Sequence, residues 1–139
     1  MVHALQRAGQ RLRSGGSLIS IRPHETQLPL VSIITPSRRI PVARLPTPGF
    51  DDRQSAADAA LERVVAEGRF ALAGIRNGRY RSLLDNPTQL RIYLELINPP
   101  RPRFPPGRRA HLLDLWRARP RGSRIEIAEW IVMTALRRL

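Results

Sequence analysis

Val31-Ser32-Ile33-Ile34-Thr35-Pro36-Ser37-Arg38-Arg39-Ile40-Pro41-Val42-Ala43-Arg44 is the stretch on which the fold turns. Two β-branched runs, residues 31–35 and 40–44, are separated by Pro36-Ser37-Arg38-Arg39. That arrangement predicts a β-hairpin with a four-residue loop. A short loop can join only antiparallel strands, because a parallel pair needs a long crossover. The sheet is therefore expected to be mostly antiparallel.

Toward the N-terminus, Leu18-Ile19-Ser20-Ile21 is nearly continuous apolar sequence, as in a strand buried on both faces, and Pro23 ends it. Before it, Val2, Leu5, Ala8 and Leu12 recur at helical spacing and predict a short amphipathic helix over 2–13. Ser14-Gly15-Gly16 stops that helix. Toward the C-terminus, Pro46, Pro48 and Gly49 form a linker. Asp51 or Asp52 is expected to cap a helix running to Glu67, with Ala57, Ala60, Leu61, Val64 and Val65 as its core stripe. Residues 70–75 and 80–84 flank Asn77-Gly78, a strong hairpin signal, so a second hairpin is expected there.

Asn86-Pro87 reads as an N-cap followed by Pro at the first helical position. Leu90, Tyr93, Leu94 and Ile97 share one face of that helix. Residues 99–106 read as a stiff, extended, basic connector. A helix over 107–118 follows, with Leu112, Leu115 and Trp116 inward. Residues 124–136 fit both a strand, through the alternation of Ile125 and Ile127, and a helix, through Ile127, Ile131 and Ala135; the strand is favoured. The expectation is one α+β domain over 1–139: two hairpins, a first and a last strand, and three or four helices packed on the sheet.

The 139 residues suffice for a core without disulfides or metals. The absence of Cys excludes a disulfide scaffold, a thiolate zinc site and a Cys nucleophile. Every cationic side chain is Arg, and the formal net charge is +13. Arg-for-Lys usage exchanges one cation for another and creates no charge, so the shortage of acids is the informative part. Residues 1–50 carry seven Arg and one acid, residues 51–100 seven of each, and residues 101–139 ten Arg and three acids. A neutral middle thus lies between two basic ends, which points to an anionic partner or to a shared solvated face. No stretch is apolar enough to span a bilayer or to serve as a secretion signal, so a cytoplasmic protein without membrane contact is expected.

The opening segment, Met1-Val2-His3-Ala4-Leu5-Gln6-Arg7-Ala8-Gly9-Gln10-Arg11-Leu12-Arg13-Ser14-Gly15-Gly16-Ser17-Leu18-Ile19-Ser20-Ile21, resembles the late helix–turn–strand of class I S-adenosylmethionine-dependent methyltransferases. In that family a helix ending in Arg-Val-Leu-Arg-Pro-Gly-Gly feeds an apolar central strand; here Ser14 replaces the Pro. The likeness is motif-like over residues 4–22 and loose over the rest. It implies a C-terminal-type half of such an enzyme. The family's cofactor elements, a Gly-rich turn after the first strand and an acidic residue after the second, lie ahead of the matched segment. Gly68, Gly74 and Gly78 do not have the spacing to replace them. The resemblance therefore implies no bound cofactor for this chain alone.

Among individual residues, His24 and Glu25 follow the first strand, where a His can serve as a general base; the alternative is a surface His after Pro23. His3, His24 and His111 are scattered and make no metal site. Asp51-Asp52 at a helix start reads as capping rather than as a proton-sharing pair. Arg38, Arg39, Arg101, Arg103, Arg108 and Arg109 are candidate anion ligands, because the guanidinium fork matches phosphate geometry. Phe104 among these arginines is the best candidate for an exposed aromatic in a basic patch. Three readings follow. The first is a methyltransferase-related protein, non-catalytic alone, that acts through a homodimer or a partner. The second is a nucleic-acid or polyanion binder, and the third a methyltransferase half whose N-terminal half is missing.

Overall fold

The computed structural model describes residues 2–24, 26–97 and 101–139, and of residues 2, 50 and 51 only the backbone. In chain order the elements are α1 (Val2–Arg11), β1 (Ser17–Pro23), β2 (Leu30–Ile34), β3 (Arg39–Arg44), α2 (Phe50–Ala66), β4 (Phe70–Leu84), α3 (Pro87–Leu96), α4 (Arg108–Arg117) and β5 (Arg124–Arg138). The strands belong to one five-stranded antiparallel sheet, in the order β1-β5-β2-β3, with β4 also paired to β5. The fold class is thus α+β, as the first hairpin implies.

The chain divides into two compact units. The first comprises the described residues of Met1–Glu25, Gly49–Gly78 and Ile131–Leu139; the second comprises those of Thr26–Pro48 and Arg79–Trp130. Each has its own core. In the first unit, Leu5 of α1 meets Ala60, Leu61 and Val64 of α2, together with Phe70 and Leu136 from the strands. The α2 stripe is the one its 3.6-residue period predicts. In the second unit, Val31, Ile33, Val42, Ile125 and Ile127 of the sheet pack with Leu90 of α3 and with Leu112 and Trp116 of α4.

The hairpin forms where it is expected: β2 and β3 pair antiparallel from Leu30↔Arg44 to Ile34↔Arg39, with a bulge between Val31 and Ser32. The final run is a strand, β5. Its alternation wins over the helical reading because Ile125 and Ile127 fall on the core face and Glu126 on the other. The cap of α3 is also as read, since Asn86 Oδ1 accepts from the Gln89 N–H at 2.9 Å.

Four expectations need correction. Residues 70–84 are not a hairpin but one 15-residue strand, β4. Gly78 stays extended because a Cβ there would meet Met133 Cε at 3.2 Å and Ile131 Cγ1 at 3.3 Å; the glycine admits close packing on β5 instead of making a turn. β1 is not buried on both faces: its exposure alternates, and Ile19 and Ile21 are 65% and 62% exposed. The N-cap of α2 is Gly49, with no side-chain cap; the backbones of Asp51 and Asp52 lie inside the first turn, and there the Asp52 carboxylate favours the helix dipole. Phe104 is half-buried against the second core, so it is not a free aromatic.

Candidate functional site

β1 leads to the first candidate. In the first unit it pairs antiparallel with β5, from Ser17↔Arg137 to Pro23↔Ile131. Among the described residues no other strand pairs with it. Its Leu18 side packs toward the core of that unit, and Ile19 and Ile21 point the other way. Arg22, on the half-buried side, donates to the Asp58 carboxylate of α2, and its second terminal nitrogen reaches Thr134 Oγ1 at 3.5 Å. These groups and Leu61, Val65 and Leu72 line a cavity of about 420 Å³. His24 follows this edge strand and is half-buried. It does not stand at the carboxyl end of a central parallel strand, which is where the general-base reading needs it. Glu25 lies outside the described residues, as do residues 99 and 100 of the connector. His3 and His111 are exposed, and among the described residues no group of three His, Asp or Glu can hold a metal ion.

The second candidate is a sheet face in the second unit. Adjacent residues of a strand point to opposite faces. β5 therefore sends Ile125 and Ile127 into the core and Glu126 to the opposite side, opposite Ser32 in the β2–β5 register. Glu126 is 2% exposed. Three guanidiniums from two other strands converge on its carboxylate. Arg39 of β3 donates to Oε2 at 2.8 Å, and Arg79 and Arg81 of β4 approach to 3.9 Å. Oε1 accepts no hydrogen bond. Four residues along β5, the Trp130 ring has the Arg79 guanidinium 5.0 Å and the Arg44 guanidinium 5.7 Å from its centroid, both within cation–π range. The result is four cations arranged around one carboxylate and one indole.

Of the predicted anion ligands, only Arg39 belongs to this cluster. Arg38 is in the β2–β3 turn, where its backbone N–H donates to Thr35 Oγ1 at 3.0 Å. Arg101, Arg103 and Arg109 instead line an apolar groove of about 580 Å³ with Leu90, Leu94 and Phe104. Arg108 is exposed at the start of α4. Arg44, Arg79, Arg81, Glu126 and Trp130 escape a reading of charge runs. The even separation of Arg79 from Arg81, two residues, and of Glu126 from Trp130, four residues, is the local sign that each pair shares a face.

On the other face of β5, burial holds the Glu129 carboxyl above its ordinary range, against the opposing effect of its bond from Tyr93. The Tyr93 hydroxyl donates to Glu129 Oε2 at 3.3 Å, and burial raises the Tyr93 pKa as well. Among the described residues no helix is long and apolar enough to cross a membrane. No family model matches the chain, and no curated protein or solved structure is similar to it.

Proposed function

We propose that this chain is a methyltransferase-related protein that does not perform methyl transfer alone and acts by pairing through β1 with a second copy of itself. One observation carries the reading: a strand with the apolar sequence of a sheet interior occupies an edge, with Ile19 and Ile21 in solvent. An exposed apolar edge strand is a template for another strand. The α1–turn–β1 unit preceding it has the order the resemblance implies: α1 ends at Arg11, Gly15 adopts φ 77°, and β1 starts at Ser17. The positive φ at Gly15 is the reason a glycine stands at that turn.

The edge is self-complementary. Two antiparallel β1 strands centred on Ser20 place Ile19 opposite Ile21 of the second copy, and the reverse, as a two-fold interface requires. Size-exclusion chromatography with light scattering tests this. The wild type is expected to be a dimer, and I19K/I21K, which puts charge on an exposed edge, a folded monomer. A wild-type monomer overturns the second-copy reading. A dimer unchanged by I19K/I21K overturns the assignment to β1. Measurable binding of S-adenosylmethionine by the chain alone, in a calorimetric titration, overturns its non-catalytic part. The same edge favours a second reading, in which an N-terminal half carrying the cofactor elements supplies the neighbouring strand. In that case the wild type is monomeric until that half is added.

A further inference from the structure

We propose that the sheet face of the second unit bearing Arg39, Arg44, Arg79, Arg81 and Trp130 binds the phosphodiester backbone of single-stranded nucleic acid. The inference is independent of association through β1, which belongs to the first unit.

Among the described residues, the charge at this face is not balanced. Three guanidiniums lie within 3.9 Å of the one carboxylate of Glu126, and a fourth joins them beside Trp130. Four like charges around one acid repel one another unless an anion is added. Their hydrogen-bonding capacity is not filled either. A guanidinium offers five N–H donors, and a carboxylate only two oxygens. Here one of those oxygens, Oε1, accepts nothing. The side chains of Arg39, Arg79 and Arg81 are 33%, 34% and 56% exposed, and Arg44 is exposed as well, so the spare donors are open to a ligand. Phosphate oxygens are the acceptors that match such a fork.

The donors are also held in place before any ligand arrives. Glu126 is buried and anchors Arg39 directly, and the indole of Trp130 stands beside Arg44 and Arg79. Side chains fixed in advance lose less entropy on binding. The arginines come from β3 and β4, and the guanidiniums of Arg39, Arg79 and Arg81 meet at the single Glu126 carboxylate. Arg44 extends the group beside Trp130. Such a cluster suits neighbouring phosphates of one strand. A sheet face carrying an aromatic is the platform on which unpaired bases stack, whereas a duplex is entered by a helix or ribbon in its groove.

Fluorescence anisotropy with labelled oligo-U RNA, oligo-dT DNA of equal length and a matched duplex tests the assignment. Both single strands are expected to bind more tightly than the duplex. With four phosphate contacts, the log–log salt slope is expected to be about −3, a loss of roughly 50-fold between about 50 and 200 mM salt. R79Q/R81Q should weaken binding at least about tenfold, the effect of one lost charge-assisted hydrogen bond, and should halve the slope. R44Q, which does not touch Glu126, serves as the second variant and should lower the slope by about 0.7. R108Q/R109Q removes the same charge as R79Q/R81Q from α4 and should leave the slope unchanged. The site is overturned if R108Q/R109Q weakens binding as much as R79Q/R81Q, for then only net charge matters. It is overturned equally if neither R79Q/R81Q nor R44Q changes binding. Tighter binding of the duplex, or of inorganic polyphosphate, than of either single strand overturns the ligand class.

Discussion

Glu126→Gln isolates the group on which the arginine cluster is built. The change keeps the shape of the side chain and removes its charge. Breaking a fully buried ion pair from one side costs about 3–5 kcal/mol. Here Glu126 is buried, but its partners Arg39, Arg79 and Arg81 keep one-third to one-half of their side chains in water. Solvent then rescues part of the loss, and an exposed pair is worth only about 0–1 kcal/mol. The expected destabilisation is between these limits, about 2 kcal/mol, which for a chain of this length lowers the melting temperature by roughly 6–8 °C. The tryptophans, Trp116 and Trp130, both belong to the second unit, so their fluorescence during urea unfolding reports on that unit. The loss has an electrostatic signature. Raising salt from about 0.1 to 1 M shortens the screening length from about 10 to 3 Å and should shrink the difference from wild type. Sulfate, which can bind between the arginines, should shrink it more than chloride at equal ionic strength. A Glu126→Gln protein as stable as the wild type at low salt, or a deficit that ignores salt, refutes the reasoning.

Two further predictions concern the elements around this face. Asn86→Ala removes the bond from the Gln89 N–H that caps α3 and should cost about 1 kcal/mol in urea unfolding followed by tryptophan fluorescence. Burial holds the Glu129 pKa in the folded state above its unfolded value, so the folded protein keeps this proton more tightly. The resulting stabilisation is full below the ordinary glutamate range and is lost as pH rises through the raised value. Stability measured from about pH 4 to pH 8 should therefore decline less steeply in Glu129→Gln than in wild type, and the variant should gain at neutral pH.

What could be read from the sequence was local. The β2–β3 hairpin, the Asn86-Pro87 start of α3 and the apolar stripe of α2 each depend on residues within a few positions of one another. The failures depended on partners far along the chain. Asn77-Gly78 has turn chemistry, yet β4 continues through it because a 15-residue β5 provides an equally long template and Gly78 fits against Ile131 and Met133. Residues 18–21 have the composition of an interior strand, and composition does not say whether both neighbouring strands are present. The arginine face was hidden for the same reason. Its members come from β3, β4 and β5, which are separated by whole helices in sequence and adjacent only in the sheet.

Segment charges did not point to Arg79 and Arg81, and the ion pairs explain why. The middle of the chain has equal numbers of Arg and acids, which suggests that it is electrically silent. Yet four of its seven acids are taken up locally or by distant arginines. Glu67 binds Arg63 and Arg69, Glu95 binds Arg91, Asp58 binds Arg22 of β1, and Asp85 binds Arg124 of β5. Arg79 and Arg81, from the same neutral stretch, have in Glu126 a carboxylate that they share with Arg39. Net charge over a window counts these two as compensated, whereas the sheet places them on one carboxylate that three arginines share. The residues that matter for an anion are those left in excess after the fold has made its pairs, and on this face that excess joins Arg39 and Arg44 of the basic N-terminal third to Arg79 and Arg81 of the neutral middle.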